Sequence, residues 1–88
     1  MYTFGFQLDN GTKLEINPPS VRTYYLKFCR AESDEKLFEA VAEICNDNKE
    51  KIKINVDYVL DNFKVTDFNR FTKSLTEWVK VTRENNPN

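Results

Sequence analysis

An α+β fold, with a β-hairpin at about residues 2–8 and 12–16 and three to four helices after it, is predicted by three features of this 88-residue chain. Apolar and polar residues alternate on both sides of Asp9-Asn10-Gly11. Two prolines then end the alternation, and apolar residues recur at spacings of three and four. The last quarter carries one aromatic stripe at that same helical spacing.

In the first strand Tyr2, Phe4, Phe6 and Leu8 alternate with Thr3, Gly5 and Gln7; in the second, Leu14 and Ile16 alternate with Lys13 and Glu15. A two-residue turn at Asn10-Gly11 would set Leu8 against Lys13 and Phe6 against Glu15, mixing the two faces. A three-residue loop, Asp9-Asn10-Gly11, sets Leu8 against Thr12, Phe6 against Leu14 and Phe4 against Ile16. It gathers one apolar face, and a one-residue slip would destroy it. The expected turn is therefore type I followed by a G1 bulge, with Gly11 in the left-handed region. A lone two-stranded hairpin is marginal in water, so the helices or a partner must cover this face.

Asn17-Pro18-Pro19-Ser20 ends the second strand, since proline has no N–H for a ladder but suits a helix's first turn. Ser20 or Asn17 can cap a helix at about 19–31, whose stripe is Val21, Tyr24, Tyr25, Phe28 and Cys29. Ser33 caps a second helix at about 34–47, with Asp34 and Glu35 at the positive end of its dipole. Its apolar face is Leu37, Phe38, Val41, Ile44 and Cys45. Residues 50–54 read either as a short edge strand guarded by lysines, joining the hairpin, or as a loop anchored by Ile52 and Ile54. Asn55 caps a short helix at about 56–63 with Val56, Val59, Leu60 and Phe63 inward. Thr66 caps the last helix, at about 67–84, which points Phe68, Phe71, Leu75, Trp78, Val79 and Thr82 to one side. The polar residues from Arg83 onwards are expected to fray.

The length fits one domain, residues 1–88, with a small core. Apolar residues make up 40% and charged residues 31%, a globular rather than disordered balance. Thirteen basic residues against fourteen acidic ones argue against a nucleic-acid partner. No apolar run is long enough to cross a bilayer and no signal-peptide pattern opens the chain, so the expected setting is the cytoplasm without a membrane partner. Cys29 and Cys45 make no CxxC pair, and both fall on apolar helix stripes, so buried free thiols are expected.

With no histidine, Ser-His and Cys-His nucleophile pairs and His-ligated metal sites are ruled out. Asp57 and Asp61 lie one helical turn apart and are read as solvated carboxylates rather than as a metal pair. Gly5 and Gly11 are the only glycines, which leaves no phosphate-cradling loop. The expectation is a protein that is not an enzyme and has no catalytic residue, metal site or cofactor. Lys49, Lys51 and Lys53, with Arg70, are the residues that could meet phosphates, but Glu50 interrupts the lysines. A helix-turn-helix over 55–82 is disfavoured, because its final helix opens with Asp67 and carries an aromatic stripe rather than a basic face that would hold DNA. Seven Phe, four Tyr and one Trp are many for 10.4 kDa. Most must be core, and any left outside would form a protein-binding patch. The candidates are Tyr2, Tyr24, Tyr58 and Trp78, with Phe4 and Phe6 on the hairpin face and Phe71 on the last helix.

The order of elements resembles that of tail assembly chaperones of long-tailed bacteriophages and prophages. The resemblance rests on the strand–turn–strand from Phe6 to Ile16, the proline-led start Pro18-Pro19-Ser20-Val21-Arg22, and the close from Tyr58 through Asp67-Phe68 to Leu75-Thr76-Glu77-Trp78-Val79. Segment 49–54 departs from the pattern, because the family's middle is usually helical. The resemblance implies a non-catalytic cytoplasmic role in phage morphogenesis: binding the tape-measure protein, masking its helices and recruiting tail-tube subunits. Two other classes remain open. One is a small phage-encoded inhibitor of a host defence protein, which would need an acidic face of Asp34, Glu35, Glu39, Glu43, Asp57 and Asp61. The other is a small nucleic-acid-binding protein. The oligomeric state stays open too, a homo-oligomer included.

Overall fold

The alternation at the start of the chain forms the predicted hairpin. In the computed structural model, which describes residues 3–84, β1 (Phe4–Gln7) pairs antiparallel with β2 (Lys13–Ile16). Phe4 faces Ile16 and Phe6 faces Leu14, the register expected of a three-residue loop. The loop closes as a bulged turn: the Leu8 amide donates to the Thr12 carbonyl at 2.8 Å and the Gly11 amide to the Leu8 carbonyl at 2.9 Å. Gly11 has φ of 96°, which a side chain would oppose. Asn10 Oδ1 accepts from the Thr12 amide at 2.9 Å and locks the turn. Tyr2, expected in the first strand, lies outside the described residues.

Among the described residues four helices follow: a π-helix (Arg22–Phe28), α1 (Asp34–Asn46), α2 (Val56–Asn62) and α3 (Val65–Glu84). Ser33 and Asn55 cap α1 and α2 through their side chains, accepting from the Lys36 amide at 3.2 Å and the Tyr58 amide at 2.8 Å. The hairpin's buried face, Phe4, Phe6, Leu8, Leu14 and Ile16, meets Val41, Ile44 and Cys45 of α1 and Phe71 and Leu75 of α3 in one core. Phe71 holds its centre, with its ring edge-on to Phe6 at 5.1 Å and to Phe4 at 5.7 Å. No helix among the described residues is long and apolar enough to cross a membrane.

Four expectations need correction. First, the proline-led helix is not an α-helix over 19–31. Its bonds run from residue i to i−5, as where the Cys29 amide donates to the Tyr24 carbonyl at 2.9 Å. Within that wider turn Thr23, Tyr24 and Phe28 are buried, while Tyr25 and Cys29 are exposed, as is Val21 in the α-type turn ahead of it, where the Tyr24 amide donates to the Ser20 carbonyl at 3.0 Å. Cys29 is therefore an exposed thiol; Cys45 is buried, and burial pushes its thiol pKa up.

Second, the edge-strand reading of residues 50–54 fails, and the alternative, a loop anchored by Ile52 and Ile54, is what forms. The hairpin's outer edge is met earlier, at 47–49, where the Asn17 amide donates to the Asp47 carbonyl and the Lys49 amide to the Glu15 carbonyl, both at 2.9 Å. Two asparagines then hold the next turn of chain in place of a ladder. Buried Asn48 donates through Nδ2 to the Ile52 carbonyl at 2.8 Å and accepts at Oδ1 from the Ile52 amide at 2.9 Å. Asn46 Oδ1 accepts from the Ile54 amide at 2.8 Å. These side chains satisfy backbone groups that a strand partner would otherwise take.

Third, α3 begins two residues before the expected start, and Thr66 is inside it rather than at its cap. Asp67 reaches back instead, accepting from the Lys64 amide at 3.0 Å as the third residue of a capping box does. Fourth, Leu60 does not turn inward; it is 53% exposed.

Candidate protein-binding surface

The proline pair carries the chain off the hairpin and lays the π-helix beside the C-terminal half of α3. Between them runs an apolar groove of about 330 Å³, lined by Pro18, Pro19, Ser20, Val21, Tyr24 and Tyr25 on one side and by Trp78, Val79 and Thr82 on the other. Tyr24 and Tyr25 meet edge-to-face at 4.8 Å. The Arg83 guanidinium sits 5.8 Å from the Tyr25 ring centre and donates to the Tyr25 hydroxyl, tying the rim of the groove to the end of α3. Val21, at the mouth, is 74% exposed. Burial, with the neighbouring Cys29 thiol, pushes the Tyr24 hydroxyl's pKa up.

A second apolar hollow, of about 350 Å³, lies where α2 turns into α3. Phe38 and Phe68 meet edge-to-face at 5.3 Å within it, and Phe63 forms part of its wall. Leu60 and Val65, the latter 76% exposed, stand at its edge. A third cleft, of about 260 Å³, separates the π-helix from α1 and is charged. Its opposite charges pair within it: Lys27 Nζ is 3.0 Å from Glu43 and Lys36 Nζ 3.8 Å from Glu39. Glu43 also accepts from the Thr23 hydroxyl at 2.7 Å. That bond and the Lys27 ammonium hold its carboxyl below the usual glutamate pKa.

The structure brings together two of the expected interface residues, Tyr24 and Trp78, on opposite walls of the first groove. Phe4, Phe6 and Phe71 are core residues and offer no surface to a partner. Tyr58 is half-buried and packs against the core. Pro18, Pro19, Val21, Tyr25 and Val79 were not among those expected at an interface. Periodicity had placed Val21, Tyr25 and Val79 on inward stripes, and the prolines were read only as a helix start. The run Pro18-Pro19 beside an aromatic helix was the available signal.

The charged candidates separate in the same way. Arg70 is exposed but already engaged: it donates to Asp67 at 2.8 Å, lies 3.6 Å from Asp9, and stacks 4.6 Å from the Phe6 ring centre. Asp67 is 1% exposed and also accepts from the Asp9 amide at 3.1 Å. Burial alone would raise its pKa. The amides of Lys64 and Asp9 and the Arg70 guanidinium together outweigh burial and hold it below the ordinary aspartate value. Lys49, Lys51 and Lys53 are exposed, and among the described residues none has a carboxylate within salt-bridge distance. Glu50, which interrupts them in sequence, turns its carboxylate to the Glu15 amide at 2.8 Å. Asp57 and Asp61 are both exposed on α2, and no cluster of three metal-ligating side chains exists among the described residues.

No family model, no curated protein and no solved structure matches this chain.

Proposed function

We propose that this chain is a non-catalytic protein-binding module of the tail assembly chaperone kind, acting in the cytoplasm of a bacterial host. It would mask helices of a tape-measure protein and recruit tail-tube subunits. The observation that carries this reading is the groove between the π-helix and α3, where Pro18, Pro19, Val21, Tyr25 and Trp78 leave aromatic and aliphatic surface open to solvent. Such a groove suits the apolar face of an amphipathic helix: the anchors enter between Tyr24 and Trp78 while the helix keeps its polar face wet. Tyrosine and tryptophan fit this work because each presents apolar area and a polar tip at small entropic cost. Masking follows directly, since tape-measure helices whose apolar faces are occupied cannot associate with one another.

Co-expression with a tape-measure fragment, followed by pull-down through a tag on the fragment, tests the proposal. A complex that forms at micromolar concentration and is lost on Trp78→Ala supports it; no complex at that concentration sinks it.

A second reading, contact with nucleic acid, draws support from Lys49, Lys51 and Lys53, because Glu50 is turned away from them. Arg70, already paired with Asp67, counts against a larger basic face. A steep loss of DNA affinity with added salt would favour this reading, and no binding at low salt would end it. The inhibitor reading is weaker, because Lys27 and Lys36 break the acidic set of residues by pairing with Glu43 and Glu39.

A further inference from the structure

The hollow where α2 turns into α3 carries its own knob. Val65 opens α3 at the hollow's edge and is 76% exposed, and Leu60 beside it is 53% exposed. Neither belongs to the core. Helix propensity gives no reason for a β-branched valine at an exposed helix start. The lining also holds both signs of charge. Asp34 and Lys64 both line the hollow, and among the described residues neither has a salt-bridge partner. The groove differs, because no charged residue lines it.

A socket alone would suit any apolar side chain. A knob beside its own socket, with an acid and a base on the same rim, is what a two-fold contact needs, because one patch must supply both halves. A two-fold axis through this face seats Val65 of each copy in the hollow of the other, against Phe38, Phe63 and Phe68. Lys64 directly precedes Val65, so the cation travels with the knob and meets the rim where Asp34 stands. Every contact is then made twice.

We propose that the hollow between α2 and α3 is the contact surface for a second copy of this chain. The dimer is two-fold, with Val65 of one copy in the hollow of the other and Lys64 of one against Asp34 of the other. The patch is smaller than the roughly 20–30 residues a side of a standard interface, so the dimer is weak and forms at high concentration. Phe68 lies about 15 Å from Trp78 along α3, and two copies joined here keep both grooves open.

Sedimentation of the full chain over a concentration series is the test. The average mass is expected to rise from the monomer value at about 10 μM towards twice that value at about 1 mM. A monomer throughout overturns the proposal and leaves the hollow to another occupant. Val65→Asp should abolish the rise, and an acid at a helix start leaves the fold intact. A rise that survives in this variant places the contact elsewhere and overturns the proposal.

Two charge reversals read the symmetry. Asp34→Lys sets two cations at each contact and Lys64→Glu two anions, so each variant alone should dimerise about tenfold more weakly. Mixed in equal amounts they should recover association close to that of the wild type, because each contact between unlike copies joins a cation to an anion. Weakened variants that do not recover on mixing overturn the two-fold pairing. If Asp34→Lys does not fold, Lys64→Glu alone decides. Its association should strengthen with added sodium chloride, which screens the like charges, while that of the wild type weakens. No difference between the two salt responses overturns the pairing. The tape-measure fragment takes no part in these measurements, so the dimer and the groove's function fail separately.

Discussion

The two ends of α3 pack against the rest of the chain in opposite ways. Its first half meets the hairpin: Phe71 is enclosed by Phe4, Phe6 and Phe63, and Asp67 ties the hairpin turn to the start of the helix. Beyond Leu75 it meets the π-helix across a groove that stays open, with Val79 and Trp78 only half-buried, although the Trp78 ring also packs 5.9 Å from that of Phe4. The same helix is thus a core element at one end and the wall of an open groove at the other. The difference lies in its partners. A strand at period two presents a flat apolar face that a helical stripe can fill, whereas Val21, ahead of the π-helix, and Tyr25, within it, stay exposed beside the α3 stripe.

The largest effect should follow from breaking the closed end. Phe71→Ala removes the ring shared by hairpin and helix and should cost about 3–5 kcal/mol, the usual range for emptying a buried aromatic site. Urea unfolding with m unchanged measures it; a loss under about 1 kcal/mol would mean that the two ends are packed alike. Asp67→Ala comes next, at about 3 kcal/mol, because it leaves Arg70 and two amides without their acceptor. The pH dependence sharpens this. Asp67 has a folded pKa below its unfolded value, so its stabilisation is fully present above the unfolded value, about 3.9, and fades as pH falls through the lower folded value. The gap between wild type and Asp67→Asn should therefore hold steady from pH 7 to about pH 5 and shrink below pH 4. A gap that widened in acid would contradict the assignment.

Gly11→Ala tests the turn that sets the hairpin's register. A Cβ there meets open space, so the cost is conformational, about 1–2 kcal/mol for a side chain at positive φ. The amide cross-peaks of β1 should keep their pairing with β2. A register slip would expose Phe4 and Phe6, and would show as dye binding by the exposed apolar face.

What the sequence makes legible follows the same division. The pairing of Phe6 with Leu14 could be read from alternation and Gly11 alone, because only one loop length puts every apolar residue on one face. Ser33 and Asn55 could be read as caps because each stands just before a helical stripe. The role of Asp67 could not: its partners at Asp9 and Arg70 depend on how the hairpin docks, which no local pattern records. Asn46 and Asn48 likewise look like a helix stop, and only the fold reveals them as the scaffold of residues 52–54. The groove was hidden for a different reason. Periodicity assumes α geometry, so Tyr25 reads as core although the backbone there is a π-helix, and Val21, in the α-type turn ahead of it, reads as core although it is 74% exposed. The open groove lies beside both departures.

The smallest expected effect on stability, and the one that decides most about function, comes from the open end. Tyr25→Ala removes an exposed ring whose contacts are Tyr24 and the Arg83 guanidinium. Exposed substitutions usually stay within about 0.5 kcal/mol, so the urea midpoint should barely move. Binding should respond differently, because an aromatic ring at the mouth of a groove is a typical hot spot, costing about 2 kcal/mol on truncation, or some thirtyfold in affinity. Tyr58→Ala, whose half-buried ring lies outside the groove, is the control: it should lower stability and leave capture of the tape-measure fragment unchanged once the protein is folded. If Tyr25→Ala destabilises the fold as much as Tyr58→Ala and leaves capture intact, the two ends of α3 do the same work, and the groove is only a shallow part of the core.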